Sequence, residues 1–388
     1  MAFTLEMDPE RVAKIVVVGV GGGGSNAVNR MFGSDMVGVE FVVMNTDAQV
    51  LKRSPVPTKL QLGEKLTRGL GAGAKPEVGR KAALDDSDRI LDLLQGADMA
   101  FITAGLGGGT GTGAAPVLAN LAKSQDILTV GVVTKPFLFE GQVRMAVADR
   151  GLEELREQVD SLITIPNQRL LNVADKKTSF MQAFRLADDV LTQAVRGISD
   201  LITRPGEVNV DFADVRTIMA ERGIAMMGTG VGTGENAAVE AAQKAINSEL
   251  LENHSIEGAK GIIINFTASP DLTIYQMTEA SELIKKMAHA SANIIFGLTV
   301  DADLGDEVRV TVIATGFDRA GKPEAAPEEP PKVIDIKANA QKTADRGQFL
   351  RKKGVAAVAG GGRGDQLPLR DMDEAELDIP TFMRRQAD

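Results

Sequence analysis

Two glycine-rich runs, each placed directly after a short apolar segment, constrain the fold of this chain more than any other feature. KIVVVGV at 14–20 leads into GVGGGGSN at 19–26, and DMAFITA at 98–104 leads into GLGGGTGTG at 105–113. A short β-branched segment that is apolar on both faces is typical of a buried parallel strand. Glycine lets the backbone turn tightly and approach a ligand closely. The pattern predicts two strand–loop–helix units that hold an anion.

Strands and helices alternate through the first half of the chain. Besides the two strands above, the pattern predicts strands at 40–45, 127–134 and 160–166, and helices from residue 25 and at 79–96, 113–124 and 142–158. This rhythm is typical of a parallel sheet with helices on both faces. Ligands of such sheets bind beyond the carboxyl ends of the strands, so we expect both glycine loops at the binding edge.

The second half changes character after a long amphipathic pattern at 179–203, which predicts a central helix whose apolar positions include Phe180 and Phe184. Beyond it the pattern predicts helices at 211–222, 235–249 and 275–289, and strands at 261–268, 293–300 and 307–316. This arrangement is typical of an α+β domain with a mixed sheet. We expect its last two strands to pair, because only a short polar loop separates them.

Composition excludes several classes of function. The chain has no cysteine, which excludes disulfides and thiol catalysis, and its two histidines, His254 and His289, are isolated and fit packing or surface roles. The net charge of −10 argues against a nucleic-acid partner. We expect no signal peptide, because the N-terminus carries acids and no apolar core. We expect no insertion into a membrane and a cytoplasmic location, because no apolar run approaches the ~20 residues of a spanning helix.

The first glycine loop satisfies G-x-G-x-x-G between a strand and a helix, the fingerprint of dinucleotide binding. For one loop alone, a tight turn without a ligand remains an alternative, and Asp47 lies late for the acid that contacts a ribose. Two such loops on adjacent strands fit a longer phosphate chain. Neither contains the lysine of a P-loop, so we expect a divalent cation at the phosphates, with Thr110 and Thr112 as hydroxyl donors.

Several long motifs resemble the tubulin/FtsZ family of GTPases. GGGTGTG at 107–113 is similar to its signature loop, and further segments resemble its bacterial cell-division branch: GVGGGGSNAVNRM, NTDAQVL, GLGAGAKPEVGR, TKPFLFEG, IPNQRLL and NVDFADVRTIMAERGIAMMGTG. The resemblance is collinear from residue 11 to 316 and resumes at LDIPTFMRRQAD. It implies a Rossmann-like GTPase domain with a parallel sheet, a central helix and a second α+β domain with a mixed sheet.

The resemblance also implies the residues of a nucleotide site for GTP or GDP with Mg²⁺. Glu140 would accept from ribose hydroxyls and Arg144 would clamp phosphate, although a surface ion pair is the simpler interpretation of their pattern alone. The implied nucleotide-binding residues are Gly22, Gly23, Gly24, Ser25, Asn26, Asn45, Gly107, Gly108, Gly109, Thr110, Gly111, Thr112, Glu140, Arg144, Asn167, Phe184 and Asp188. No protein side chain is implied as a metal ligand, because the cation would be held through the phosphates.

Asp188 on the predicted central helix falls at the position that reads the base. A carboxylate accepts from both N1–H and the amino group of guanine, but repels the acceptor N1 of adenine. Phe184 lies one helical turn earlier and is implied to stack on the base, although a core position fits its spacing nearly as well. Asn167 is implied as a further base or ribose contact.

Asp211 and Asp214 in NVDFADV stand three residues apart at a predicted helix start. Taken alone, an Asp at this position caps the helix or interacts with its dipole. The resemblance implies instead that both acids, supported by Asn209, enter the nucleotide site of the next subunit and position the attacking water. An isolated subunit would then hold an incomplete active site.

The apolar residues that return at the end of the chain fit a partner-binding peptide at least as well as a frayed tail. By resemblance, the partners are membrane-tethering division proteins such as FtsA. The peptide residues are Leu377, Asp378, Ile379, Pro380, Phe382 and Met383. The expected segments are a flexible N-terminus at 1–10, a GTPase domain at 11–178, the central helix at 179–203, an α+β domain at 204–317, a disordered linker at 318–371 and the peptide at 372–388.

The expected function is a GTPase that polymerises head-to-tail into the filaments of the cytokinetic ring of bacterial cell division, at mid-cell on the inner face of the membrane. A non-hydrolysing tubulin-like structural or regulatory protein is the alternative, and the intact Asp211 and Asp214 argue against it. A Rossmann dehydrogenase is a third possibility, but it leaves the second glycine loop unexplained.

Overall fold

The computed structural model describes residues 13–34, 36–175, 177–203, 210–220, 223–248, 250 and 256–317. The predictions for the N-terminus at 1–10, the linker at 318–371 and the terminal peptide at 372–388 lie outside these residues, as does that for Asn209. Both glycine loops, the central helix and the two acids of the predicted catalytic loop lie within them.

The described strands form one ten-stranded sheet in the order β3-β2-β1-β4-β5-β6-β7-β10-β8-β9. Their bounds are β1 Ile15–Val20, β2 Val39–Asn45, β3 Thr58–Gln61, β4 Met99–Gly105, β5 Leu128–Lys135, β6 Ser161–Pro166, β7 Gly223–Thr233, β8 Gly261–Ala268, β9 Asn293–Val300 and β10 Glu307–Thr315. Pairing is parallel from β3 through β7, β10 runs antiparallel to both β7 and β8, and β8 pairs in parallel with β9. The predicted parallel half and mixed half are both confirmed.

Helices cover both faces of the parallel half. The bounds are α1 Gly21–Phe32, α2 Ala48–Arg53, α3 Glu64–Thr67, α4 Pro76–Asp85, α5 Ser87–Leu94, α6 Thr110–Ser124, α7 Gln142–Gln158, α8 Asn167–Val173, α9 Phe180–Thr203, α10 Phe212–Met219, α11 Ala237–Ile246 and α12 Ile274–Met287. Short 3₁₀ turns occupy Leu138–Glu140 and Ala302–Leu304. One face of β1 packs with α1 and α9, and the other packs with α4, α5, α6 and α7.

The central helix α9 connects the two halves of the sheet through one hydrophobic core. Its buried residues, among them Leu191, Val195 and Ile198, pack with side chains of the parallel strands and with Ile263 and Ile313 of the mixed half. The three- and four-residue spacing therefore predicts its buried face correctly. Phe180 is an exception.

Four expectations about the elements are wrong. Phe180 is 63% exposed and so does not belong to the core. The last two strands do not pair, because β8 lies between β9 and β10. The predicted helix at 79–96 is two helices, which meet at Asp86, whose carboxylate accepts from the backbone of Gly63 at 2.7 Å. The pattern also missed β7, whose first residues pair with β6 and whose remainder pairs with β10.

Candidate functional site

The two glycine loops contact each other at the carboxyl edge of the parallel strands. A Cβ atom added at Gly21 would lie 2.7 Å from the backbone nitrogen of Gly111, and one at Gly23 would lie 3.1 Å from Cα of Gly105. A Cβ atom at Gly24 would lie 2.2 Å from the backbone oxygen of Thr103. These approaches require glycine, because a side chain has no room between the two backbones. The loops thus form one continuous surface, as the strand pattern predicts.

This surface offers backbone donors without side-chain partners. Helix α1 begins at Gly21 and α6 begins at Thr110, and neither N-terminus is capped by a side-chain hydrogen bond. A Cβ at Gly22 or at Gly108 would meet no protein atom within 4 Å. The first N–H groups of a helix carry partial positive charge and bind anions readily. Two uncapped helix starts at one edge can hold a chain of phosphates.

The hydroxyls of the second loop form hydrogen bonds within the protein. The Thr110 and Thr46 hydroxyls lie 2.7 Å apart, and the Thr112 hydroxyl accepts from the backbone N–H of Gly107 at 2.9 Å. All three threonines are buried. The contact between Thr110 and Thr46 holds the loop against the end of β2, whereas the Thr112 contact lies within the loop. Contact of Thr110 and Thr112 with a nucleotide stays a prediction. Sequence analysis missed Thr46, although it directly follows the predicted Asn45.

Two predicted binding residues carry buried polar atoms that have no partner among the described residues. They are Oγ of Ser25, which is fully buried, and Oδ1 of Asn167, which begins α8. Such atoms are rare in folded proteins, because an unsatisfied buried acceptor or donor costs about 1–3 kcal/mol. Both atoms are therefore candidates for hydrogen bonds with a bound ligand. Asn45 differs, since its side-chain oxygen already accepts from the backbone N–H of Asp47 at 3.1 Å, while Asn26 is exposed.

Glu140 and Arg144 form an ion pair beside the second loop. Their closest atoms lie 2.9 Å apart, and the other carboxylate oxygen of Glu140 accepts from the backbone N–H of Phe137 at 2.8 Å. A Cβ at Gly107 would lie 2.7 Å from Cγ of Arg144, so the arginine stem lies against the glycine loop. The ion pair is therefore present, but it is not a pure surface pair, because the Glu140 side chain is 9% exposed and Arg144 packs against the loop.

Asp188 faces α1 rather than solvent. Its Oδ2 accepts from Nε of Arg30 at 2.9 Å, and its side chain is 15% exposed. Burial raises the pKa of Asp188 to about 6, the Arg30 charge opposes this rise, and Asp189 adds to it. Sequence analysis missed Arg30. The available signal was its position four residues after Asn26, which places both on one face of α1.

Phe184 belongs to an aromatic cluster rather than to the main core. It meets Phe137 edge-to-face at 5.2 Å between ring centroids and Phe180 at 5.0 Å. Phe137 stacks in turn on Phe139 at 4.9 Å. The cluster joins the turn that carries Glu140 to the start of α9. Phe184 is only half-buried, so part of its ring remains accessible.

Asp211 and Asp214 lie at the opposite edge of the sheet from the glycine loops. Asp211 caps α10 by accepting from the backbone N–H of Ala213 at 3.3 Å, and Asp214 is exposed. Helix α10 is held at the amino ends of the parallel strands. There Arg216 donates to the carboxylate of Asp126 at 2.8 Å, and Asp126 is the second residue before β5. The hydroxyl of Ser161, the first residue of β6, donates to the backbone of α10.

Family profiles match both halves of the chain. Residues 14–175 match the Tubulin/FtsZ family, GTPase domain, and residues 223–318 match the FtsZ family, C-terminal domain. The cell division protein FtsZ of Pseudomonas aeruginosa is 49% identical over 403 residues, with 100% of each chain covered. That of Coxiella burnetii is 50% identical over 387 residues, with 98% of each covered. Neither profile is that of a dehydrogenase.

Solved structures share the fold. An FtsZ dimer from M. jannaschii is 42% identical with a TM-score of 0.76, covering 82% of this chain and 95% of that one. CetZ2 from Haloferax volcanii, solved as a GTPγS-bound protofilament, is 21% identical with a TM-score of 0.67, covering 86% of this chain and 99% of that one, and its likeness concerns the fold alone. Among the described helices, none is long and apolar enough to cross a bilayer.

Proposed function

The chain belongs to the tubulin/FtsZ family, as a member of its FtsZ branch, and from this premise we propose how its residues divide the work of a shared active site. It is a GTP-binding, GTP-hydrolysing protein that polymerises in cell division. In our proposal the glycine loops hold the triphosphate, Asp188 reads guanine, and Asp211 and Asp214 act on the GTP of a neighbouring subunit.

The separation of the glycine loops from α10 carries this proposal. The loops follow the carboxyl ends of β1 and β4, whereas Arg216 and Asp126 tie α10 to the amino end of the neighbouring β5. The eight residues of β5 span about 26 Å at ~3.3 Å per residue. Asp211 and Asp214 therefore cannot reach the loops of their own chain. A neighbour stacked head-to-tail brings the acid-bearing edge of one sheet to the loop-bearing edge of the next.

The phosphates are assigned to the uncapped starts of α1 and α6, at Gly22 and Gly108, with Arg144 as an added cation. We include Mg²⁺ as cofactor. Among the residues that the structure describes, no group of three or more acids or histidines could hold a metal ion, so the cation would be held chiefly by the phosphates. When bound, Mg²⁺ neutralises charge on the phosphate oxygens.

The ribose and base are assigned to the side of the site that faces α9. Glu140 is oriented by the Phe137 backbone and by Arg144, so its remaining lone pairs can accept from ribose hydroxyls. The buried Oδ1 of Asn167 and the Oγ of Ser25 gain partners when a nucleotide binds. Asp188 accepts from guanine N1–H and the amino group, with Phe184 against the base plane.

Hydrolysis of the γ-phosphate depends mostly on positioning and electrostatics. In the assembled filament, Asp214 and Asp211 of one subunit orient and polarise the water that attacks the γ-phosphorus of the next subunit's GTP, and the bond to the bridging oxygen breaks. A carboxylate left outside that geometry contributes little. Assembly thus switches the activity on, and release of phosphate removes contacts that hold the neighbour.

We also propose that residues 372–388 dock onto membrane-tethering division proteins such as FtsA, which would hold the filaments at the inner face of the membrane at mid-cell. The support is chemical. Leu377, Ile379, Phe382 and Met383 form an apolar cluster at the end of a Pro- and Gly-rich segment, a composition typical of a flexible spacer with a binding motif.

The decisive experiment is phosphate release from GTP with Mg²⁺ over a range of protein concentrations. Because the site needs two subunits, we expect negligible turnover below a threshold concentration and a linear increase above it. Sedimentation at each concentration should show filaments appearing at the same threshold. A specific rate that does not change with concentration would mean that each chain hydrolyses GTP alone, and the shared site would be abandoned.

A further inference from the structure

Arg30 connects the first phosphate-binding helix to the side chain assigned to the base. Its Nε donates to Asp188 Oδ2 at 2.9 Å, and its Nη1 lies 3.6 Å from Asp189 Oδ1. The Arg30 side chain is 37% exposed, more than twice the exposure of Asp188. The pair lies where α1 packs against α9. Arg30 therefore lies beside the carboxylate assigned to the base, at the partly exposed contact between α1 and α9.

Both ends of this contact are held in place by packing. Helix α1 begins in the glycine loop, and its buried residues, including Ala27, Val28 and Met31, fix it against the sheet. On α9, Ala187 and Val190 are buried on either side of Asp188. The buried apolar face of each helix thus fixes its rotation about its own axis. As a result, the Arg30 guanidinium lies next to the carboxylates of Asp188 and Asp189.

Arg30 favours the ionised form of Asp188 against the other influences on its carboxyl group. Burial and the adjacent Asp189 both favour the neutral carboxyl, and Arg30 is the cation that opposes them among the described residues. With Arg30 present the pKa of Asp188 is about 6, so the group is mostly ionised at pH 7. Because the Arg30 charge lowers the pKa of Asp188, removing the guanidinium raises this pKa further. A protonated carboxyl presents a donor where guanine also presents donors.

The geometry leaves room for the base. The closest contact of Arg30 with Asp188 is to Oδ2, and no hydrogen bond to Oδ1 occurs within the described residues. A carboxylate has about four acceptor directions. Oδ1 and the second lone pair of Oδ2 remain for guanine N1–H and the amino group. A contact to Oδ2 thus holds the carboxylate without using up its acceptors.

We propose that Arg30 is a specificity-determining positioning residue, which holds Asp188 as an anion aimed at the guanine edge. This inference rests on the proposed role of Asp188 as base reader. It implies that selection for guanine is built from two helices, with the acceptor on α9 and its counter-charge on α1. It also implies that acid pH weakens guanine binding in particular.

The test compares GDP with IDP, whose base lacks the amino group, by competition against a ribose-labelled GDP without Mg²⁺. Arg30→Met keeps the length of the side chain and removes its charge. We expect GDP affinity at pH 7 to fall about tenfold, and the GDP-to-IDP affinity ratio to fall towards that of Asp188→Ala. Between pH 5.5 and 8, the midpoint of GDP affinity should move to higher pH in Arg30→Met, while Arg30→Lys should keep it near that of the parent protein.

Arg89→Met is the matched control, because Arg89 forms a similar ion pair away from the site, with its own side chain 55% exposed and that of its partner Asp86 13% exposed, and this variant should leave all three quantities unchanged. If Arg30→Met keeps the parent ratio and midpoint while Asp188→Ala changes the ratio, the inference about Arg30 is wrong and the role of Asp188 stands. If Asp188→Ala itself keeps the ratio, the proposed base reader is wrong. Should Arg30→Met not fold, the same measurements on Arg30→Gln decide between these outcomes.

Discussion

Gly24 and Gly108 show that one residue type serves two purposes within the same site. A Cβ atom at Gly24 would lie 2.2 Å from the Thr103 carbonyl oxygen, whereas one at Gly108 would meet nothing within 4 Å. The first glycine is thus required by packing, and the second leaves space in front of a helix start. The runs GVGGGGSN and GLGGGTGTG predict the loops but cannot separate these roles, since the difference depends on which backbone lies opposite.

This difference gives a prediction for two alanine variants. Gly24→Ala should lower the free energy of unfolding by about 1–3 kcal/mol through overpacking against backbone. Gly108→Ala should melt at the parent temperature but bind GDP more weakly, because the added methyl occupies space assigned to phosphate. Thermal unfolding without nucleotide and GDP titration measure the two effects. Normal GDP affinity in Gly108→Ala would place the phosphates elsewhere.

A second residue-scale prediction concerns the pH dependence of stability without nucleotide. The pKa of Asp188 is raised from 3.8 to about 6 in the folded state. The folded state therefore binds this proton more tightly than the unfolded state, and the resulting stability is lost as pH rises through 6. Asp188→Asn does not titrate, so its unfolding free energy should improve relative to that of the parent protein by about 1 kcal/mol between pH 5 and 7.5.

The measurement is urea unfolding of the two proteins at several pH values in that window. The test is how the difference in unfolding free energy between the two proteins changes with pH. Its absolute size at one pH is not informative, because Asp188→Asn also alters the contact with Arg30. Parallel profiles would show that Asp188 titrates normally.

Resemblance to a family assigned residues to the proposed site but did not indicate which side chains they contact in the structure. Thr110 pairs with Thr46 and Asp188 pairs with Arg30, and each pair joins side chains far apart in the chain. No local pattern encodes such contacts, which follow from how the strands and helices pack. The assignment of Glu140 and Arg144 depended on the motif alone, since their spacing of four fits any exposed helical ion pair.

At the scale of elements, β7 shows why pattern reading failed. Its sequence GIAMMGTGVGT contains glycines at alternate positions, and glycine is depleted in strands. The structure supplies the reason: Cβ atoms at Gly228, Gly230 and Gly232 would lie 2.0–2.1 Å from backbone oxygens of α11. The helix lies directly on the strand, and its alanines at 237, 241 and 245 recur every four residues along the contact. The sequence signal for this contact was therefore glycine at every second position of the strand, followed by alanine at every fourth position of the helix.

Because this contact leaves no space, Gly230→Ala should be costly. A Cβ there would lie 2.0 Å from the Ala241 carbonyl oxygen, so helix and strand must separate. We expect a loss of about 2 kcal/mol or more of unfolding free energy, measured by urea denaturation. The control is Gly223→Ala at the start of the same strand, where a Cβ would meet nothing within 4 Å. Equal stabilities for the two variants would contradict the packing described.

Other elements were predictable because their patterns were unambiguous. The amphipathic segment 142–158 and the apolar strands 261–268 and 293–300 have the predicted bounds. Helix α1 begins at Gly21, earlier than predicted, because the first turn of the helix is itself made of the glycine run. The glycines were interpreted as loop, yet a helix start of glycine is what keeps its N–H groups accessible.

For the whole molecule, the sequence predicts the parallel half of the sheet but not the order of the mixed half. Alternating strands and helices impose right-handed crossovers and a parallel sheet almost by necessity. In the mixed half, β9 and β10 are adjacent in sequence, yet β8 pairs with both. Strand order there is decided by long-range packing around α11 and α12, which local patterns do not encode.

The glycine loops and the two acids belong to residues 13–317, whereas the proposed tethering peptide lies at the end of the chain, so removing the peptide should affect tethering alone. A chain without residues 377–388 retains both glycine loops and both acids, so it should polymerise and hydrolyse GTP at parent rates. It should no longer bind a membrane-tethering division protein. Sedimentation, phosphate release and pull-down with the purified tether measure these properties. Loss of polymerisation in the truncated chain would mean that the peptide contributes to the filament contact instead.

Because the glycine loops and the acids lie at opposite edges of the sheet, two inactive variants should restore each other's activity when they are mixed. On the proposed assignment, Gly108→Ala should bind phosphate poorly but keeps both acids, and Asp214→Ala should bind phosphate normally but lacks one acid. Each alone should hydrolyse GTP slowly. In an equal mixture, an interface is active when Asp214→Ala supplies the GTP site and Gly108→Ala supplies the acids. Random head-to-tail pairing gives this arrangement at about a quarter of the interfaces, so activity should recover to about a quarter of the parent rate.

Phosphate release from the mixture, with sedimentation of both variants, measures the recovery. Replacing Asp214→Ala in the mixture by a variant that carries both changes removes every complete interface, so its rate should stay at the background. The exposed Asp303→Ala, from the mixed half of the sheet, should behave as the parent protein. A mixture that only reaches the mean of its two components, while both variants enter filaments, would show that Asp214 serves the nucleotide of its own chain.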